Sequence, residues 1–370
     1  MAPVVKELEK YPVEIQSVVC ATAQHREMLD QVLELFGVRP DYDLDLMQPR
    51  QTLSGLTARI LTALDEVVAR ERPDWLLAQG DTTTVMVAAL VAYYHRVPVG
   101  HVEAGLRTGD KFQPFPEEGN RRIADTISDL HFAPTETNRQ NLLREGVSDS
   151  SILVTGNTVI DALRGIVART RRRVCEEWEP RLNGRRLLLV TAHRRENFGS
   201  PLEEICRALA QIAREYASDV HILYPVHFNP NVWEPVHAAL GSIPNITLTE
   251  PLGYKEFVGL IDRAYLVLTD SGGLQEEAPG LGKPVLVLRE VTERPEGVAA
   301  GTVKVVGTSC QSIVNETAVL LDDNEAYRRM AQAVNPYGDG KASARIVASL
   351  RLCTGLTATP VEQFEADRSG

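Results

Sequence analysis

Cysteine is scarce. The five in 370 residues (Cys20, Cys175, Cys206, Cys310 and Cys353) are scattered, odd in number and never spaced as CxxC. This excludes a disulfide framework and a paired-cysteine metal knuckle, and leaves reduced thiols in a cytoplasmic protein as the expectation. Positive charge is also short. Lysine and arginine total 39 against 50 acidic residues, a net charge of −11, which argues against a nucleic-acid binder. The one basic run, RTRRRVCEEW (169–178), meets acids at once and is expected to be an interdomain connection or a solvated helix end. No apolar run reaches the roughly 20 residues of a membrane span, and no signal peptide is visible. Low-complexity runs, internal repeats and a GxGxxG fingerprint are missing as well.

What remains is a globular composition, 44% hydrophobic and 24% charged, at a length that suggests two domains. Short β-rich runs alternate with helical patterns throughout. EIQSVVC (14–20) precedes HREMLDQVLELF (25–36), DWLLAQ (74–79) precedes TTVMVAALVAYYHR (83–96), and LLLVTA (187–192) precedes PLEEICRALAQIAREYA (201–217). PVGHVE, DVHILYPV, NITLTE, AYLVLTD and PVLVLRE continue the series. Such alternation predicts an α/β protein with parallel sheets covered on both faces. The seam is expected between Gly165 and Gly184, giving domains 1–170 and 171–340. Ligands of doubly wound sheets bind at the C-terminal ends of the strands, so a cleft lined by those ends is the expected site.

The strand ends carry the chemistry. In LTDSGGLQEEAPG a strand stops at Asp270, and Ser271, Gly272 and Gly273 lead into a helix. Glycines allow close approach to backbone, and a helix N-terminus offers N–H groups to an anion such as a phosphate. A plain N-cap with a glycine turn is the alternative. Glu277, one turn further, would repel a phosphate and is better suited to accept from sugar hydroxyls, such as a ribose. Arg294 in VTERPEG is either a bidentate phosphate partner or a surface arginine. His193 with Arg194 and Arg195 in TAHRRENFG makes a compact cationic group suited to a diphosphate or a charged leaving group. A metal at His193 and Glu196 lacks a second ligand pair. His227 in YPVHFNPN is a second strand-end histidine.

In the first half, Asp81 follows a strand in LLAQGDTTT, where an N-cap is the alternative role. Glu103 ends the neighbouring strand in GHVEAG. Glu117 and Glu118 open a helix, where acids also suit the dipole. Asp81, Glu103 and Glu117 can converge, and clustered carboxylates serve as general acids and bases. A nucleotide-linked sugar with proton chemistry on the sugar is the implied substrate.

Together QGDTTT, HVEAGLRTGD, PFPEEGNRR, TAHRRENFG, YPVHFNPN, TDSGGLQEEAP, ERPEGVAAGT and NPYGDGKAS resemble the bacterial non-hydrolysing UDP-N-acetylglucosamine 2-epimerases, from about Met1 to Arg351. The resemblance implies a glycosyltransferase-B-like fold of two Rossmann-like domains, with KASARIVASLRL (341–352) returning to the first domain. It implies reversible conversion of UDP-N-acetylglucosamine to UDP-N-acetylmannosamine through a 2-acetamidoglucal, without nicotinamide or metal, in a cytoplasmic homodimer. By motif, Asp81, Glu103 and Glu117 resemble the acid–base carboxylates, with the one that takes the C2 proton left open. His193 resembles the residue that assists UDP departure. Ser271, Gly272, Gly273, Glu277 and Arg294 resemble UDP contacts, with Phe257 near the uracil. Gln24, Gln51, Arg194 and His227 resemble an allosteric site for a second, activating UDP-N-acetylglucosamine. Family members open with a strand and loop like GTRPEAIK, and this sequence starts at MAPVVKELEK, so that strand and its phosphate loop are expected to be missing. The alternatives are a hydrolysing epimerase, a glycosyltransferase on the same fold, and a UDP-sugar-binding protein inactive through loss of the loop. The tail 354–370 is polar and expected to be loose.

Overall fold

The computed structural model describes residues 1–22, 26–48, 51–292 and 294–366. Gln24 lies outside them. The chain forms two compact units, Met1–Ala162 with Gly338–Glu365, and Leu163–Tyr337.

In the first unit every strand pairing is parallel. β1 (Cys20–Ala21) pairs β2 (Tyr42–Asp43), and a separate sheet runs β3 (Leu76–Gln79), β4 (Val99–Val102), β5 (Leu130–Ala133), β6 (Ile152–Val154). The strand expected over 14–20 is shorter than the apolar run because only its end meets a partner, through Val19, Cys20 and Ala21. β4 is buried along its whole length. A Cβ on its Gly100 would sit 2.6 Å from the Leu77 side chain and 3.0 Å from Phe132, so only glycine lets these strands pack. The following helices show the pattern that drove the expectation. Thr83–His95 is apolar nearly all round and buries Val85, Val87, Ala88, Val91 and Ala92, as a central helix should.

The helix Ala342–Cys353 belongs to this unit. Asp161 caps its first turn, accepting from Ala342 N at 3.1 Å and Ser343 N at 2.8 Å. Ile346, Val347 and Leu350 pack with Val4, Val102 and Phe132. Within the described part of the tail, Gln363 and Phe364 correct the expectation of looseness. Phe364 is buried, its N–H donates to Val154 O at 2.8 Å, and Gln363 Oε1 accepts from Val154 N at 3.1 Å. The tail thus covers the outer edge of β6, which would otherwise present an open ladder.

The second unit has one sheet of six parallel strands: β7 (Arg186–Thr191), β8 (Val220–Pro225), β9 (Ile246–Thr249), β10 (Leu266–Thr269), β11 (Val285–Val287) and β12 (Val303–Val305), in the order β12-β11-β10-β7-β8-β9. The apolar runs are continuous because both faces are covered. Leu188 and Val190 join one core with Ile205, Leu209 and Leu268, while Leu187 and Leu189 join another with Trp178, Leu260 and Val267. The helix Ser200–Glu215 starts with Pro201 in its first turn and buries Leu202, Ile205, Cys206, Leu209 and Ile212, a 3–4 residue spacing. Each such side chain contributes about 1.5–3 kcal/mol of burial. The basic run 169–178 is neither a connection nor a helix end. It lies inside the helix Thr158–Leu182, where Arg171 pairs with Asp262 at 2.7 and 2.8 Å while Val174 and Trp178 are buried. Its charges line one face of a helix whose other face is core.

Among the described residues no helix is long and apolar enough to cross a membrane.

Candidate active site

In the first unit the acids stand at the ends of adjacent strands. Asp81 follows β3 and Glu103 follows β4, and these strands are neighbours in register. Asp81 is not the helix cap, since the N-cap of Thr83–His95 is Thr82. Its carbonyl accepts from Asn120 Nδ2 at 3.0 Å, and its carboxylate lies 3.6 Å from Arg121. Asn120 and Arg121 both belong to the helix Glu117–Ile127, so the same helix that begins with Glu117 holds the Asp81 turn.

Glu103 has φ +68°, left-handed backbone that a non-glycine residue adopts at a cost of about 1–3 kcal/mol. Several bonds fix it there. Glu103 N and Ala104 N both donate to Phe132 O, at 3.0 and 3.1 Å, and Gly105 N donates to Asp125 at 3.3 Å. Gly105 (φ +82°) is required, because a Cβ there would lie 2.3 Å from Asn138 O. The Glu103 carboxylate accepts from Asn157 Nδ2 at 3.4 Å and passes within 3.5 Å of where a Gly80 Cβ would stand. Asp81 and Glu103 are thereby brought to one end of the sheet.

The two glutamates that open the helix divide. Glu118 is fully buried, accepts from Thr108 N at 3.1 Å and from Arg122 Nε at 3.1 Å, and lies 3.4 Å from Arg121. It anchors the preceding loop. Glu117 is half-buried at the first helical position.

In the second unit β7 and β10 lie side by side where the strand order reverses, the crevice that doubly wound sheets use for ligands. The Thr191 and Thr269 hydroxyls meet there at 2.6 Å. Asp270, fully buried, organises the loop after β7. Its Oδ2 accepts from His193 N at 2.7 Å, Arg194 N at 2.8 Å and Asn197 Nδ2 at 3.0 Å. Its Oδ1 faces His193 Nδ1 at 3.5 Å. Burial lowers the His193 pKa, Asp270 opposes this, and His227 and Arg194 add to it. The His227 ring stacks on His193 with centroids 5.6 Å apart.

Ser271, Gly272 and Gly273 enter the short helix Leu274–Gly280, whose N-cap is Gly273 rather than Ser271. Ser271 N donates to Thr269 Oγ1 at 2.9 Å. Glu277 sits in the first turn. Burial pushes its carboxyl up to about 7, against a 3.3 Å hydrogen bond from Tyr254 OH and with Glu276 adding to the rise. Arg294 Nε donates to Glu276 at 2.5 Å, and Arg294 occupies the N-cap position of the helix Pro295–Ala299 without a side-chain capping bond. Phe257 is half-buried against the Leu260–Leu274 side of the core. Of the remaining expected residues, Gln51 belongs to the first unit, where its Nε2 contacts Met47 Sδ at 2.9 Å. Glu196 pairs with Arg289 at 2.5 Å. Among the described residues no group of three or more His, Cys, Asp or Glu side chains is arranged to hold a metal ion.

The sequence model of the family described as UDP-N-acetylglucosamine 2-epimerase matches residues 6–351. The chain belongs to the UDP-N-acetylglucosamine 2-epimerase family. It is 54% identical over 357 residues to the UDP-N-acetylglucosamine 2-epimerase of Escherichia coli K12, covering 95% of this chain and 94% of that protein. Among solved structures, a UDP-N-acetylglucosamine 2-epimerase crystal structure superposes with a TM-score of 0.91 at 48% identity, covering 99% of this chain and 95% of the other. The Neisseria meningitidis UDP-GlcNAc 2-epimerase, solved bound to UDP-GlcNAc, gives a TM-score of 0.81 at 47% identity with 95% of each chain covered. The fold is therefore the family's two-domain, glycosyltransferase-B-like arrangement of Rossmann-like sheets.

Sequence reasoning missed several residues on which this candidate site is built. In the sequence Asp270 is no more than a strand end, yet it ties down the His193 loop. His101, Asp125 and Arg107 form a buried network under the Glu103 turn. The alternation His101-x-Glu103 at the end of an apolar strand was the available signal for His101. Asp125 gave none, because it meets His101 only through the packing of its helix on β4.

Proposed function

We propose that this chain is a non-hydrolysing epimerase that interconverts UDP-N-acetylglucosamine and UDP-N-acetylmannosamine. The observation that carries the reading is the pair of strand-end carboxylates, Asp81 and a backbone-strained Glu103, within a chain matched to the family over residues 6–351. In the reaction the C2–H and C1–O bonds break and a C1=C2 double bond forms, giving 2-acetamidoglucal and UDP. Re-addition of UDP to C1 with protonation of C2 on the opposite face gives the epimer.

Asp81, Glu103 and Glu117 are assigned the proton transfers. His193, with Asp270 behind its Nδ1, is assigned to UDP departure, where an imidazolium would offset charge growing on the diphosphate. Ser271, Gly272 and Gly273 hold phosphate, Arg294 adds a charged contact, Glu277 accepts from the ribose hydroxyls, and Phe257 lies near the uracil. Arg194 and His227, with Gln51 and Gln24, are assigned to an activating second UDP-N-acetylglucosamine. The reading requires neither nicotinamide nor metal, and it takes the enzyme as a cytoplasmic homodimer. Incubating the chain with UDP-N-acetylglucosamine and separating the products tests it. The expected result is an equilibrium mixture of the two UDP-sugars, approached from either side. Free N-acetylmannosamine accumulating in step with UDP would instead mark a hydrolysing enzyme.

A further inference from the structure

Beneath the strand-end carboxylates of the first unit lies a histidine with no solvent exposure. His101 is in β4, and both of its ring nitrogens face hydrogen-bond partners. Nδ1 is 2.5 Å from Asp125 Oδ1, and Nε2 is 2.7 Å from the Gly80 carbonyl oxygen. A carbonyl can only accept, so Nε2 must carry a hydrogen. Asp125 accepts as well. Its other oxygen takes Arg107 Nη2 at 2.7 Å and Gly105 N at 3.3 Å, and a carboxylate so engaged is ionised. Nδ1 must then donate too, and a ring that donates at both nitrogens is an imidazolium.

The surrounding charges agree. Arg107 also pairs with Glu145 at 2.6 and 2.8 Å, so the network alternates Glu145, Arg107, Asp125, His101 and is neutral as a whole. Glu103, two residues on and just beyond β4, adds a further negative charge. The facing residue on β5 is His131, whose Nε2 donates to the Asp125 carbonyl at 2.8 Å while its Nδ1 meets no partner, the pattern of a neutral ring. Burial alone would push the His101 pKa down. The Asp125 hydrogen bond and charge, the Gly80 carbonyl and Glu103 outweigh it, and the pKa is raised.

We propose that His101 is a buried imidazolium that positions both strand-end carboxylates: through Gly80 it fixes the turn that presents Asp81, and through Asp125 it fixes Gly105 and so the left-handed backbone of Glu103. It is a positioning residue and touches no reacting atom. Its consequence for turnover rests on the functional reading above, while its protonation state does not. A misplacement of about 1 Å in such a site costs on the order of a hundredfold in rate.

The test has two arms. The first is ¹H–¹⁵N correlation of the ring nitrogens in full-length protein labelled on histidine, from about pH 6 to about pH 9, a window spanning the ordinary histidine pKa near 6.5. His101 should show two protonated nitrogens throughout. A His101 ring that loses a proton near the ordinary value overturns the proposal. The second arm is His101→Gln, which keeps one donor and loses the charge. The variant should bind UDP with wild-type affinity, since the residues assigned to UDP belong to the other unit, and should show similar KM with kcat reduced about a hundredfold. Wild-type kcat in a folded His101→Gln protein would also overturn it. Should the wild-type chain itself fail to epimerise, the functional reading falls, and the ring-nitrogen spectrum still decides the state of His101.

Discussion

Glu103 concentrates the conflict between stability and chemistry in a single residue. Its φ of +68° suits glycine, and the turn holds it there through Phe132 O and Gly105. Glu103→Gly should relieve strain of about 1–2 kcal/mol and raise the melting temperature, while abolishing proton exchange on the substrate. Thermal denaturation and an exchange assay on the same preparation check both halves. Glu277 gives a pH prediction. Its carboxyl is raised by burial from 4.5 to about 7, so below that pH it is mostly protonated. Only the ionised form accepts from two ribose hydroxyls. Affinity for UDP-N-acetylglucosamine should therefore rise as pH increases through about 7, and Glu277→Gln should bind weakly with no such dependence, as calorimetry at several pH values would show. The raised pKa also has a stability sign: its contribution favours folding most below 4.5 and is lost as pH rises through about 7. Arg294→Ala, which removes the partner of Glu276, should weaken UDP binding roughly tenfold or more, and unchanged affinity would remove Arg294 from the phosphate site.

At the scale of elements, two features of the first unit are more demanding than their composition suggests. Gly100 in β4 faces Leu77 and Phe132 so closely that Gly100→Ala must shift one of them. A loss of about 1–3 kcal/mol in chemical denaturation is expected, with reduced activity because β4 carries His101 and leads into Glu103. The tail is the second. Phe364 and Gln363 cap the edge of β6 through Val154, so Phe364→Ala should speed hydrogen exchange at the Val154 amide. These elements also show what a sequence discloses. Strand ends were legible because apolar runs stop abruptly at Gln79, Val102, Ala192 and Thr269 and a polar or glycine residue follows. The helix Ser200–Glu215 was legible from its 3–4 residue spacing. The docking of the tail was not, because it depends on one aromatic residue finding an edge some two hundred residues earlier in the chain. The basic run 169–178 misled because its buried residues, Val174 and Trp178, are interleaved with charged ones such as Arg171, which pairs across to Asp262.

For the whole molecule, the division of labour follows from which strands end in what. The first unit gathers carboxylates over a buried network of alternating charge, and the second gathers histidine, arginine and glycine at its topological switch point. Asp81, Glu103, Glu117, His193 and the Ser271–Gly273 turn could be singled out from sequence because each stands immediately beyond a strand or at a helix start. What lies behind them could not. His101 meets Asp125 across 24 residues and His193 meets Asp270 across 77, and those pairings exist only once the sheets are in register. The central claim is that these groups remove and return a proton at C2 of a UDP-sugar. Proton NMR of UDP-N-acetylglucosamine incubated with the enzyme in D₂O tests it most directly. The C2 proton should be replaced by deuterium as UDP-N-acetylmannosamine appears, and Glu117→Gln should stop the exchange while UDP still binds. Formation of the epimer with the C2 proton fully retained would contradict it.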